Sequence, residues 1–186
     1  MSKILVTLTP KQIKQIIKIA KRRNAEQRKH FQKDGLVATE KTSVGADIEG
    51  AIGEAAVAKC FELKWDGSFK QHSNWLKWRH EGHDVCGLEV KTTKYKGGRL
   101  LIQSWNRDDA PYVLATVPSD LPDAIKNQKN IQVELVGWCI GKEAKDETWW
   151  MDDWRRPCFG LPQSKLRNMV ELVRAFNLKV KRGEWV

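Results

Sequence analysis

The stretch that most constrains the fold is Asp84-Val85-Cys86-Gly87-Leu88-Glu89-Val90-Lys91-Thr92-Thr93. Leu88, Val90 and Thr92 alternate with Glu89, Lys91 and Thr93, which is the period of two of a half-buried strand. One face is apolar and branched; the other presents a carboxylate and, two residues on, an ammonium. Cys86-Gly87 reads as a two-residue hairpin turn, which pairs Val85 with Leu88 and sets Asp84 opposite Glu89. Directly opposed residues have Cβ atoms about 4.5–5.5 Å apart, and like charges at that spacing destabilise a sheet. A divalent cation between the two carboxylates removes the penalty. An all-oxygen shell completed by water and phosphate suits Mg²⁺. Lys91 leaves the same face as Glu89 and reaches the same space.

A second informative stretch lies upstream. Residues 45–61 are dominated by small side chains, and Ile48, Ile52, Ala55, Ala56 and Phe61 form a helical stripe. Gly50, Gly53 and Glu54 fall on one side of that helix. Each interior glycine costs about 1 kcal/mol relative to alanine, a cost most easily understood if something approaches the helix closely there. Glu49 lies about 140° round the helix from Glu54, so only one of the two points inward. The plainer reading is a helix packed tightly on a sheet with its acids in solvent.

Asp84 followed by Glu89-Val90-Lys91 resembles the PD-(D/E)xK nuclease superfamily, with His83 where the name of the motif puts proline. Gly50-x-x-Gly53-Glu54 looks like the first core helix of that group. Gly137-Trp138 before a short helical segment at 141–145 is similar to its phage-type members. The resemblance covers about residues 45–140. It implies an α/β restriction-endonuclease-like core, a mixed β-sheet flanked by helices. The expected sheet combines the motif hairpin with strands near 100–103, 112–117 and 131–140, packed on the 45–61 helix. The resemblance also implies a Mg²⁺-dependent DNA endonuclease leaving 5′-phosphate ends, with Mn²⁺ able to substitute. Asp84, Glu89 and the Val90 carbonyl then hold the metal, Glu54 completes the site, and Lys91 orients water or offsets charge; Gln103 is a further candidate near it. A double-strand cutter with one site per chain needs a homodimer or two successive events. A nuclease-like binding protein without catalysis, and an RNA-directed nuclease, are the alternatives.

Charge adds an independent argument. The chain of 186 residues has a net charge of +10, and residues 1–33 hold ten Lys/Arg against one acid, leaving 23 against 22 elsewhere. Residues 3–8 read as a strand, and Thr9-Pro10 as an N-cap with proline at the first helical position. The helix that follows should run to about His30. Ile13, Ile16, Ile17 and Ala20 lie on one stripe, with bases over much of the rest. Lys11, Lys14, Lys18, Lys21, Arg22 and Arg23 are the candidate phosphate-backbone contacts; the bland alternative is a solvated helix face.

The length fits a single domain, 1–186, with the basic strand and helix over 1–31, the core over 45–140 and a last helix from Pro162 to Phe176. Residues 146–160 read as a surface loop pinned by tryptophans, with Asp152-Asp153 a weaker metal candidate. Trp75 and Trp78 read as packing residues before the motif. His80, His83 and Cys86 are spaced by three, but a fourth zinc ligand is not evident. Cys60, Cys86, Cys139 and Cys158 include no Cys-x-x-Cys pair, as expected of reduced thiols. With no signal-peptide pattern or apolar run near 18 residues, no membrane partner is expected, and the cytoplasm of a bacterial or phage-infected cell is the expected location.

Overall fold

A computed structural model describes residues 3–31, 40–65, 67, 84–152 and 157–181. In chain order the elements are β1 (Ile4–Leu8), α1 (Pro10–Phe31), α2 (Glu40–Cys60), β2 (Glu89–Thr93), β3 (Leu100–Ile102) and β4 (Pro111–Thr116). They continue with α3 (Leu121–Lys126), β5 (Ile131–Ile140), α4 (Gly141–Ala144), β6 (Trp150–Met151), β7 (Cys158–Leu161) and α5 (Met169–Lys181). Trp75, Trp78, His80, His83 and Asp153 lie outside the described residues.

The fold is mixed α/β. A four-stranded sheet runs in the order β1-β5-β4-β2; β2 and β4 are parallel and the other pairs antiparallel. The expected N-cap of α1 is present as a capping box: Thr9 N–H donates to Gln12 Oε1 at 3.0 Å, and the Gln12 N–H to Thr9 Oγ1 at 3.4 Å. Ile13, Ile16 and Ala20 are buried, as the stripe requires. α2 is buried on nearly every side from Ala51 to Ala58, because α1 covers it from one direction and the sheet from the other. β4 is buried on both faces. Val113 and Ala115 join the core under the helices, whereas Tyr112 and Leu114 face a second core on the other side of the sheet.

Three elements depart from the sequence expectation. β3 does not join the main sheet; it pairs with β7 in a small antiparallel sheet ordered β3-β7-β6. Leu100 and Ile102 are buried there with Leu161 and Tyr112. The place beside β4 is taken by β2 itself, and alternation within a strand says nothing about which neighbour it will find. Residues 146–160, expected as loop, supply β6 and most of β7, strands of two and four residues that are too short for a period to register. The last helix starts at Met169 instead of Pro162. Pro162 leads a single 3₁₀ turn, and Arg167 is held extended by reciprocal hydrogen bonds with Trp138 at 2.8 and 3.1 Å. The helix then runs past Phe176 to Lys181.

Candidate functional site

The site assembles at β2, the end strand of the main sheet. Cys86 and Gly87 both have positive φ, 44° and 84°, the left-handed pair of a type I′ hairpin turn. Val85 and Leu88 form the expected bridge: Leu88 N–H donates to the Val85 carbonyl at 2.8 Å, and Val85 N–H to that of Leu88 at 3.1 Å. The turn sends the chain back so that Asp84 lies along the outer edge of β2, where its Oδ2 accepts the Val90 N–H at 2.8 Å. In a strand the N–H and C=O of one residue leave on the same side. The Val90 carbonyl therefore lies on the edge that Asp84 occupies.

Glu89 is aligned with Tyr112 and Lys91 with Leu114 across the parallel β2–β4 pair. The Lys91 ammonium stands 5.7 Å from the Tyr112 ring centroid. Val90 and Thr92 point the other way, toward α2, which comes so close that a Cβ at Gly53 would lie 2.0 Å from Thr92 Oγ1. This is the close approach expected of the glycine pair, although Gly50 has open space beside it. The contact presses the middle of α2 onto β2 and brings Glu54, the next residue, to the site.

The electrostatics join these groups. Burial pushes the Glu89 carboxyl up to about 7, the charge of Asp84 and, less strongly, that of Glu54 add to the rise, and Lys91 and Arg107 oppose it. Burial also pushes Glu54 up to about 7, again with Asp84 adding and with Arg23 and Trp65 opposing. Asp84, Glu54, Glu89 and Lys91 therefore lie in one field. The three acids do not converge on a single point, however. Among the described residues no three His, Cys, Asp or Glu side chains stand close enough to hold one ion.

Glu54 already has a cationic partner. Arg23 Nη1 donates to both of its oxygens, at 3.0 and 2.8 Å, and Trp65 Nε1 donates to Oε2 at 3.2 Å. The Arg23 guanidinium is further fixed by the Gly67 carbonyl at 3.1 Å and lies 5.5 Å from the Trp65 ring centroid. Arg23 was grouped by sequence with the outward-facing bases of α1, and its side chain is only 18% exposed. Its position extends the Ile16–Ala20 stripe by one further turn, a signal present in the sequence. Lys11, Lys14, Lys18, Lys21 and Arg22 remain exposed along α1.

Sequence reasoning also passed over Arg107. Its Nε and Nη2 donate to Asp109 at 3.1 and 3.0 Å, and its charge acts on Glu89. Asp109 two residues later is a weak local sign of this fork. Two other sequence candidates have the following surroundings. Glu49 faces Lys94 at 3.9 Å, and the buried Gln103 Oε1 has no hydrogen-bond partner among the described residues. No helix among the described residues is long and apolar enough to cross a membrane. No protein-family model, curated protein or solved structure matches the chain.

Proposed function

We propose that this protein is a metal-dependent endonuclease of the PD-(D/E)xK type that hydrolyses DNA phosphodiester bonds. The observation that carries the reading is the cluster at β2. Two half-buried carboxyls there, Glu54 and Glu89, are each pushed up to about 7, with Asp84 adding to both shifts and Lys91 on the same strand as Glu89. Such a cluster is unfavourable in the isolated chain and is relieved by a cation. Packing of α2 on a β2–β4–β5 sheet is what supports a restriction-endonuclease-like core.

The donor chemistry fits Mg²⁺, since every candidate ligand is an oxygen. Asp84 and Glu89, with the Val90 carbonyl, are the residues that would hold it, and Glu54 would add its charge from α2 without converging on the same point. When bound, the ion supplies Lewis acidity toward a phosphate oxygen and makes water a stronger acid. Lys91 places a positive charge beside that phosphate, where it offsets the charge that develops during hydrolysis. Arg107, immobilised by Asp109, adds a second cation on the Glu89 side. The exposed bases of α1 bind the phosphate backbone without regard to sequence, so affinity should fall steeply with salt. Cleavage of both strands then calls for two copies of the chain or two events, in the cytoplasm of a bacterial or phage-infected cell.

One observation favours the second reading, a nuclease-like protein that binds nucleic acid without cutting it. Arg23 donates to both Glu54 oxygens, so a cation of the protein itself already stands at this acid. A substrate panel of linear, circular, single-stranded and branched DNA, with RNA as a further arm, decides between the two when incubated with Mg²⁺. Lys91→Ala and Asp84→Asn should abolish cleavage while leaving binding largely intact. If the wild type cleaves none of these substrates, the enzyme reading is lost. Calorimetric titration with Mn²⁺ separates the readings independently, because a binding-only protein has no reason to hold the ion there.

A further inference from the structure

We infer that the turn after β2, Lys94-Tyr95-Lys96, is a second nucleic-acid contact of this site, in which Tyr95 stacks on an unpaired base and the flanking lysines hold the neighbouring phosphates. The inference rests on the nucleic-acid reading of the site. Its starting point is an anomaly of exposure. Tyr95 is 69% exposed, more than any other large hydrophobic side chain among the described residues. Leu5 comes near it at 63%, but on β1, at the opposite end of the sheet from β2.

The backbone of the turn is held in place by hydrogen bonds. Tyr95 N–H donates to Thr93 Oγ1 at 3.2 Å, and Gly98 N–H closes the turn on the Tyr95 carbonyl at 2.9 Å. Gln163 Nε2 reaches across from the other sheet's side to the carbonyls of Lys96 and Gly98, both at 3.0 Å. Closure leaves no room for a side chain at Gly98, where a Cβ would come 2.7 Å from Thr93 Oγ1. A backbone pinned in this way loses little further freedom on binding, which is what a preorganised contact needs. The Lys94 ammonium lies 5.9 Å from the Tyr95 ring centroid and 3.9 Å from Glu49 Oε1, and Lys96, next in the chain, is exposed.

Position supplies the remaining argument. Tyr95 follows Lys91 by four residues on the same stretch of chain, hence within about 13 Å of it. That is a few nucleotides along a strand whose phosphate lies at Lys91. An exposed aromatic ring flanked in the chain by two exposed lysines matches a base flanked by two phosphates. Stacking needs an open base face, so the substrate class is a strand with at least a local unpaired segment next to the scissile bond.

The test is fluorescence anisotropy on the full chain with labelled single-stranded and duplex oligonucleotides of one sequence, in EDTA so that binding is read without cleavage. Tyr95→Ala should weaken single-strand binding about ten-fold or more while changing duplex binding less, and Tyr95→Trp should retain it. Lys96→Ala should weaken both and lower the slope of log affinity against log salt by about one. Unchanged thermal melts of these exposed-site variants show that the fold is intact. The inference is overturned if Tyr95→Ala binds both oligonucleotides as tightly as the wild type, loses both equally, or if the wild type binds neither. Binding that responds as expected in a chain that cleaves nothing would sink the endonuclease reading and leave this contact standing.

Discussion

Gly50 and Gly53 lie one turn apart on α2, and the structure assigns opposite signs to the same substitution at the two positions. A Cβ at Gly53 would sit 2.0 Å from Thr92 Oγ1, 3.2 Å from its Cβ and 3.3 Å from its Cγ2. Rotating the Thr92 side chain does not clear the space, because both of its branches face the helix and a β-branched residue in a strand has few χ1 options. The helix must therefore lift off β2. Overpacking of this kind costs about 1–3 kcal/mol, and a contact this short against a stiff side chain belongs at the upper end. Replacing an interior glycine by alanine returns about 1 kcal/mol of helix propensity. Gly53→Ala should thus lose about 2 kcal/mol, whereas Gly50→Ala, with nothing within 4 Å, should gain up to about 1 kcal/mol. Urea denaturation of the two variants reads the difference directly, with the slope m unchanged if only stability moves. Adding Thr92→Ala to Gly53→Ala should recover most of the loss, with a coupling of about 1–3 kcal/mol. Because Glu54 follows Gly53 in the chain, the lifted helix should also weaken the proposed Mg²⁺-dependent cleavage under conditions where the variant is still folded. Equal stabilisation by both alanines would refute the close packing of α2 on β2 and the placement of Glu54 derived from it.

The remaining expectations concern the hairpin and the buried charges. Cys86→Asn creates an Asn-Gly type I′ turn and should raise the thermal midpoint; Gly87→Ala, at φ 84°, should lower it by the equivalent of about 1–2 kcal/mol. Both Glu54 and Glu89 rise from 4.5 to about 7 on folding, so the fold favours their protonated forms. Their contribution is full below about pH 4.5 and lost as pH rises through about 7, an effect on the order of 3 kcal/mol for one carboxyl and joint, not additive, for the two. Metal-free stability should accordingly fall between pH 5 and pH 8 in chemical denaturation, and Glu54→Gln should flatten the profile; an unchanged profile would show that the acid is not buried as described. Arg23→Ala should cost about 1–3 kcal/mol at pH 8 and less at pH 5, where Glu54 can take a proton in place of the lost partner.

The motif hairpin, the N-cap of α1, its buried stripe and the central strands near 112–117 and 131–140 were legible in the amino-acid sequence. Each depends on residues within a turn or two of one another, so periodicity and turn chemistry report them directly. The hairpin is the clearest case: Cys86-Gly87 needs only two left-handed residues to bring Asp84 back along β2. What the chain does beyond that range was decided by tertiary structure. Nothing local indicates that β2 runs parallel to β4 at the end of the sheet, or that β3 crosses to pair with β7. Nor does the stripe that points Arg23 inward reveal that its partner is Glu54, 31 residues away. Those outcomes follow from which apolar faces, distant in sequence, bury one another best, and the charges on them are carried to their partners by that packing.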